Sequence, residues 1–217
     1  MDRTAWAAPD RATPDAARTR LEAALAGRYR IEGRIGRGQF SSVFRATDID
    51  HAGEVAIKLL DVDVSTTPEL VQRLEEMRRL CASLHDEGVV VASSLEQHES
   101  RAFLVMPFMH GGSLAELLRM RGAPSLAEVE RIVGEVAATL DRIHAHGLTH
   151  RGLTPENILF DFSGRYCITD IGVTDSLLAA HAGDGSRAAR ARAYAAPELR
   201  RAQPVDGRAD QYALAMI

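Results

Sequence analysis

Cysteine is scarce in this chain: Cys81 and Cys167 are the only two in 217 residues. A pair so far apart offers neither a disulfide framework nor metal-ligand spacing, and fits two semi-buried thiols in a reducing compartment. Long apolar runs are missing as well. Asp2, Arg3, Asp10 and Arg11 interrupt the short alanine runs at the N-terminus, which leaves no stretch suited to a secretory leader or a membrane helix. No charge of one sign dominates, because the net charge is −4 and the arginines are scattered among Asp and Glu. That argues against a basic face for nucleic acid. No internal repeat is visible. What remains is 46% hydrophobic and 26% charged, enough apolar material for a substantial core and without the marks of disorder. The expectation is a soluble, cytoplasmic globular protein.

Residues 1–12 read as a loose tail, rich in Ala, Arg, Asp and Pro. Thr13 and Pro14 make a helix start with Leu21 and Leu25 on one face, and Gly27 ends it. Short β-type runs follow at Tyr29 to Ile35, Ser42 to Ala46 and Val55 to Leu60, separated by Gly and Asp turns, which predicts an antiparallel sheet. Leu70, Leu74, Met77, Leu80, Cys81 and Leu84 lie at helical spacing, and two further strands are predicted at Val89 to Val91 and Phe103 to Met106. After Gly111-Gly112, two Ser-Leu-Ala-Glu tetrapeptides open helices at Ser113 and Ser125, each a capping box. The second carries Val129, Ile132, Val133, Val136, Leu140 and Ile143 as an apolar stripe and stops near Gly147. Loops and short β pairs are expected beyond it, and Asp210 to Ile217 begins another apolar helix.

Five motifs with chemical content occur in order. Gly36-Arg37-Gly38-Gln39-Phe40-Ser41 lies between two β runs, where a glycine-rich hairpin can bring its backbone close to phosphates. Val55-Ala56-Ile57-Lys58 places a lysine on a strand. His150-Arg151-Gly152-Leu153-Thr154-Pro155-Glu156-Asn157, Asp170-Ile171-Gly172 and Ala196-Pro197-Glu198 follow. Singly each is weak; together they match the protein-kinase signature set.

Over residues 29–217 the chain resembles the eukaryotic-like bacterial Ser/Thr protein kinases. The resemblance implies an α+β, protein-kinase-like bilobal fold, with a small antiparallel β-sheet lobe bearing one main helix (about 29–109) and an incomplete, mainly helical large lobe (about 110–217). It leaves 1–28 outside as tail and short helix. It also implies ATP and Mg2+ as cofactors, with Ile35, Gly36, Gly38, Val43, Ala56, Lys58, Met106, Pro107, Met109 and Leu159 around the nucleotide. Met106 corresponds to the gatekeeper. Pro107-Phe108-Met109 corresponds to the hinge, where Pro107 lacks an N–H but keeps the carbonyl that the family uses. Lys58 would reach the α- and β-phosphates, and Asn157 and Asp170 would hold the metal. Strict family spacing for the glutamate that pairs with this lysine falls on Met77, so Glu76 is the preferred candidate, after a small shift in the preceding loop, with Leu80 in the core one turn later. Asp210 corresponds to the aspartate that anchors the catalytic loop from below.

The departures concentrate at one function. Gly152 stands where the family has the aspartate that accepts the substrate proton, Thr154 replaces the lysine that contacts the γ-phosphate, and Arg190-Ala191 replaces a Gly-Thr that ties those two together. Neither Glu156 nor Asp161 is a substitute base. Losing a general base costs typically ~10²–10⁴-fold. The expectation is therefore a pseudokinase with regulatory or scaffolding output, acting on a partner kinase or other protein; the alternative is a weakly active ATP-Mg-dependent Ser/Thr kinase with a protein substrate. Restoring aspartate at Gly152 and lysine at Thr154 is expected to increase any transfer. Thr174 and Ser186 are candidate phosphate acceptors, with Arg151, Arg187, Arg190 and Arg192 nearby. Because the sequence stops two turns into its last helix, the chain is expected to be a fragment of marginal stability, with part of the 126–146 stripe exposed.

Overall fold

The structure, a computed structural model, describes residues 21–22, 25, 27–38, 40–180, 193–201 and 203–217. The 1–12 tail, the helix start at Thr13 and Pro14, Gln39, and the activation-segment residues Ser186, Arg187, Arg190, Ala191 and Arg192 lie outside them. The chain divides into two compact units: residues up to Gln72 together with Ala92–Phe108, and Arg73–Val91 together with Met109–Ile217.

The first unit is an antiparallel sheet of β1 (Tyr29–Arg37), β2 (Ser41–Asp48), β3 (Gly53–Leu60), β4 (Ser94–His98) and β5 (Arg101–Pro107), in the order β1-β2-β3-β5-β4. Side chains alternate across a strand, so the register decides what each face carries. Phe44 pairs with Ile57, which pairs with Val105; Val43 pairs with Lys58, and Ala56 with Met106. The first set shares a core with Leu21, Leu25, Tyr29, Ile31, Ala46 and Phe103. Leu21 and Leu25 thus come from just before the sheet to cover one of its faces, and Gly27, at φ +92°, lies in the turn that leads into β1; most of the helix expected before it lies outside the described residues.

One expected strand is displaced. Val89–Val91 is an extended connector that makes a single parallel bridge, Val89 to Ile168, and the fifth strand is Ser94–His98. Its polar Ser-Leu-Glu-Gln-His sequence suits a sheet edge, where only one side is paired and the apolar signal is weak.

Helix α1 (Pro68–Ser83) follows β3 and crosses the unit boundary at Gln72/Arg73. Leu70, Leu74 and Cys81 are buried, whereas Leu80, expected in the core, is 41% exposed. At about 100° per residue, positions 70, 74, 77, 81 and 84 fill one arc and Leu80 lies about 80° from its centre.

In the second unit, α2 (Leu114–Arg121) and α3 (Leu126–Ala145) both begin with the predicted capping boxes, Ser113 with Glu116 and Ser125 with Glu128. A 3-10 turn (Pro155–Asn157), the hairpin β6 (Ile158–Phe160) and β7 (Tyr166–Ile168), and helices α4 (Val173–Ala180), α5 (Pro197–Arg200) and α6 (Arg208–Met216) complete it. The apolar stripe of α3 divides lengthwise. Ile132, Val136, Leu140 and Ile143 are buried with Leu114, Leu153, Ile158, Ile168 and Ile171, while Leu126, Val129 and Val133 are 75%, 38% and 41% exposed. Helices α4 and α5 occupy stretches read as loop, because Val173 and Thr174 are β-branched and the Pro197 helix is a single turn. No helix among the described residues is long and apolar enough to cross a membrane. Both cysteines are buried and unpaired, and burial pushes the Cys81 thiol up to about 11.

Two contacts of unequal depth can be compared by substitution. Ser125→Ala removes an exposed cap and should cost about 1 kcal/mol. Asp210→Ala removes a buried acceptor of several hydrogen bonds and should cost about 3–5 kcal/mol. Chemical denaturation midpoints would check the ranking, and equal losses would contradict it.

Candidate active site

On the first unit, the sheet face opposite the Leu21/Leu25 core carries Val43, Ala56, Lys58 and Met106 in adjacent cross-strand pairs. Ala56 and Met106 are each 7% exposed. The turn that leads into this face is the glycine-rich one: Gly36 pairs with Val43, and the Gly38 N–H donates to the Ser41 carbonyl at 2.8 Å. Ile35 sits in the β-bulge between Arg34 and Gly36, which re-aims the strand just before the turn. Pro107 ends β5 opposite Val55, and the Phe108 N–H donates to the Glu54 carbonyl at 3.4 Å. The same face holds Arg45, a residue that sequence reasoning did not single out. It pairs with Glu32 (3.0 Å) and Glu54, and its guanidinium lies 4.9 Å from the Phe108 ring centroid.

On the second unit, Asp210 organises the catalytic-loop segment. Its carboxylate, 1% exposed, accepts the N–H groups of His150 and Arg151, each at 2.8 Å, and lies 2.8 Å from His144 Nε2. His150 is fully buried. The Gly152 N–H can only donate, so His150 Nδ1 accepts at 3.3 Å, and Nε2–H must donate to the Thr169 carbonyl at 3.0 Å. Burial lowers the pKa of this imidazole, in keeping with the neutral tautomer that the bonds require. Asn157 Nδ2 donates to the Gly152 carbonyl at 2.9 Å, which leaves the amide oxygen to face elsewhere, and the Asn157 carbonyl receives the Thr169 N–H at 3.0 Å. Asp170 follows at once, in the left-handed region at φ +65°. The backbone of Asn157 thus lies beside Thr169, the residue before Asp170. Leu159 sits in β6, half-buried.

The position expected to hold a base is not open space. A Cβ built on Gly152 would lie 2.6 Å from the Thr174 Cβ and 2.9 Å from its Oγ1. Thr174, read from sequence as a candidate phosphate acceptor, is thus packed into the place of the missing side chain. Aspartate at 152 would collide with Thr174 unless α4 or the loop moved, so any rescue by aspartate there has to include that movement. Nothing in the sequence could reveal this, since α4 was read as loop. Glu156 is exposed, and Asp161 is occupied by Ser163 and Arg165 in its own turn, at 2.6 Å to Ser163 Oγ and 3.1 Å to Arg165 Nε. Thr154 precedes the 3-10 turn without capping it. Arg151 reaches Asp175 at 3.3 Å, an ion pair with both side chains 42% exposed and so of little energetic weight.

On α1, Met77 takes the inward direction that family spacing assigns to a glutamate. It packs on the second unit's core, and its Cε would lie 2.8 Å from a Cβ on Gly172, whose φ of +69° also calls for glycine. Glu76 is exposed, one residue or about 100° around the helix from Met77, so bringing it inward requires a turn of the helix and not a small loop shift. Glu75 is held by Arg78 and Arg79, each at 2.8 Å.

Sheet, loop geometry and motif order together point to one class of protein. Residues 29–217 match the protein kinase domain model, and the chain belongs to that family, in its eukaryotic-like bacterial Ser/Thr branch. It is 34% identical over 197 residues to the DNA damage-responsive serine/threonine-protein kinase RqkA of Deinococcus radiodurans, covering 89% of this chain and 29% of that protein. It is 29% identical over 203 residues to the serine/threonine-protein kinase PknA of Mycobacterium tuberculosis, covering 91% of this chain and 47% of that protein. The crystal structure of the M. tuberculosis PknI kinase domain superposes with a TM-score of 0.68 at 26% identity, covering 87% of this chain and 70% of that one. The chain thus spans less than half the length of these two curated relatives.

The Arg78 and Arg79 bonds hold the Glu75 carboxyl down to about 2 from an ordinary 4.5. A depressed carboxylate contributes stability above its unfolded pKa and loses it as pH falls through the folded one. The stability gap between the parent chain and Glu75→Gln should therefore be constant above about pH 4.5 and close towards pH 2. Urea midpoints across that window would check it, and a gap that persists at pH 2 would refute it.

Proposed function

We propose that this chain is an ATP- and Mg2+-binding kinase domain that has given up phosphoryl transfer and acts in the cytoplasm through its conformation or as a scaffold for a partner protein. The observation that carries the reading is Gly152: the base position has no side chain, and Thr174 fills the space one would need. On the first unit, Ile35, Gly36, Gly38, Val43, Ala56, Met106 and Pro107 support a nucleotide role, with Lys58 on the same sheet face as Val43, Ala56 and Met106 to meet phosphate; Met109, the last hinge position, belongs to the second unit. On the second, Leu159 supplies an apolar contact, and Asn157 and Asp170 supply two hard oxygen ligands. That donor set fits Mg2+, which takes one or two protein carboxylates plus substrate phosphates and does not need a protein-only cage. The absence, among the described residues, of any larger ligand group is compatible with that mode. When bound, the metal would supply electrostatic stabilisation of the phosphates; the chain's own part is to orient Asn157 from the Gly152 carbonyl and to present Asp170.

A second reading, a slow Ser/Thr kinase, is favoured by the retention of Lys58, Asn157 and Asp170 and by relatives that are named serine/threonine-protein kinases. Loss of a base at ~10²–10⁴-fold does not abolish the electrostatic part of catalysis.

A nucleotide titration followed by thermal shift separates the two when run beside transfer of labelled phosphate from ATP. At ATP-Mg a hundred times its Kd, stabilisation should be about 2.7 kcal/mol, or several degrees in Tm. The shift should vanish in Lys58→Ala and shrink in Asp170→Ala, with no label incorporated by the parent chain. Label that disappears with Asp170→Ala would establish the second reading instead, and no shift at any ATP concentration would overturn both.

A further inference from the structure

We infer that α4 is a latch whose seat is the vacant side-chain position of Gly152, so that docking of the segment after Asp170 on the catalytic loop is conditional on glycine at 152. The argument concerns the second unit alone and does not depend on nucleotide. A Cβ at 152 would stand 2.6 Å from the Thr174 Cβ, 2.9 Å from Oγ1 and 3.1 Å from Cγ2. Contacts below 3.0 Å are essentially never seen for real Cβ atoms. The nearest atom is itself a Cβ, fixed by the backbone of α4, so no rotamer change at Thr174 relieves the clash. The backbone of the helix or of the loop has to move.

The helix is otherwise well anchored at its start. Gly172 donates its N–H to the His150 carbonyl at 3.1 Å, and its own carbonyl accepts the Ser176 N–H at 3.1 Å and the Ser176 hydroxyl at 2.8 Å. Val173 donates to the Asp170 carbonyl at 3.1 Å, and Val173 and Leu177 are 8% and 2% exposed. The catalytic loop and the first turn of α4 therefore form one packed body, with Thr174 as the tooth and Gly152 as the notch. In the docked state the place from which a base would project is covered. Uncovering it requires α4 and the loop to part, which would expose the buried Val173 and Leu177 side chains.

Hydrogen exchange of the full 217-residue chain, without nucleotide, tests this. Gly152→Ala should speed exchange of the amides of residues 173–180 at least tenfold while those of α3 keep their protection. In a Thr174→Gly background, which removes the tooth at some cost to the helix, adding Gly152→Ala should change those amides less than twofold. If Gly152→Ala alone does not fold, recovery of the fold in the double variant supports the latch equally. Unchanged exchange over 173–180 in Gly152→Ala overturns it, as does faster exchange spread evenly through the second unit, or a Gly152→Ala effect of the same size in both backgrounds. Because ATP is absent throughout, the result is separable from the nucleotide-binding reading.

Discussion

The carboxylate of Asp210 is the constraint on which the second unit's loop geometry rests. A buried charge is tolerated only when its oxygens are filled, and here two successive backbone N–H groups and an imidazole fill them. Successive amides can both point at one carboxylate only if the backbone curls between them, and Arg151 adopts a left-handed φ of +59° as it does so. That curl sets the direction of Gly152, whose amide fixes the His150 tautomer, and His150 in turn holds residues 169 and 172 through the Thr169 carbonyl and the Gly172 N–H. A structural acid far from the chemistry in sequence thereby decides where Asp170 begins.

Within each unit the parts that hold and the part that would react are separable. Strand alternation puts Lys58 and its apolar neighbours on one face of the sheet without any reference to the catalytic loop. Asn157 is oriented by a backbone carbonyl that any residue at 152 would supply. Neither set therefore depends on a side chain at 152 for its placement.

Much of this was legible in the residues. Both Ser-Leu-Ala-Glu boxes mark true helix starts because capping is a local interaction between side chain and nearby backbone. The central strands β2, β3 and β5 read correctly because each carries a short run of β-branched and aromatic residues; in β5 that run is apolar throughout and buried on both faces. Strand β4 was missed because an edge strand has little burial to advertise, and Val89–Val91 misled because a buried connector is as apolar as a strand. Leu80 and Met77 show the limit of spacing arguments. Both are apolar and one turn apart, and only the arc of the helix that meets the core tells them apart. Thr174 lay beyond reach entirely: its contact with Gly152 spans 22 positions and depends on a short helix of weak propensity.

The fit between residues 152 and 174 also bears on which substitutions the loop accepts. An acid placed at 152 would enter a loop packed closely against α4, and would be felt as a steric defect before it could be felt as a gain in chemistry. Glycine at 174 would have to come beforehand, because the clashing atom is a Cβ, and on its own it confers nothing but a weaker helix. The two positions are thus coupled, and a side chain can be accommodated at 152 without displacing α4 or the loop only after one has been removed at 174.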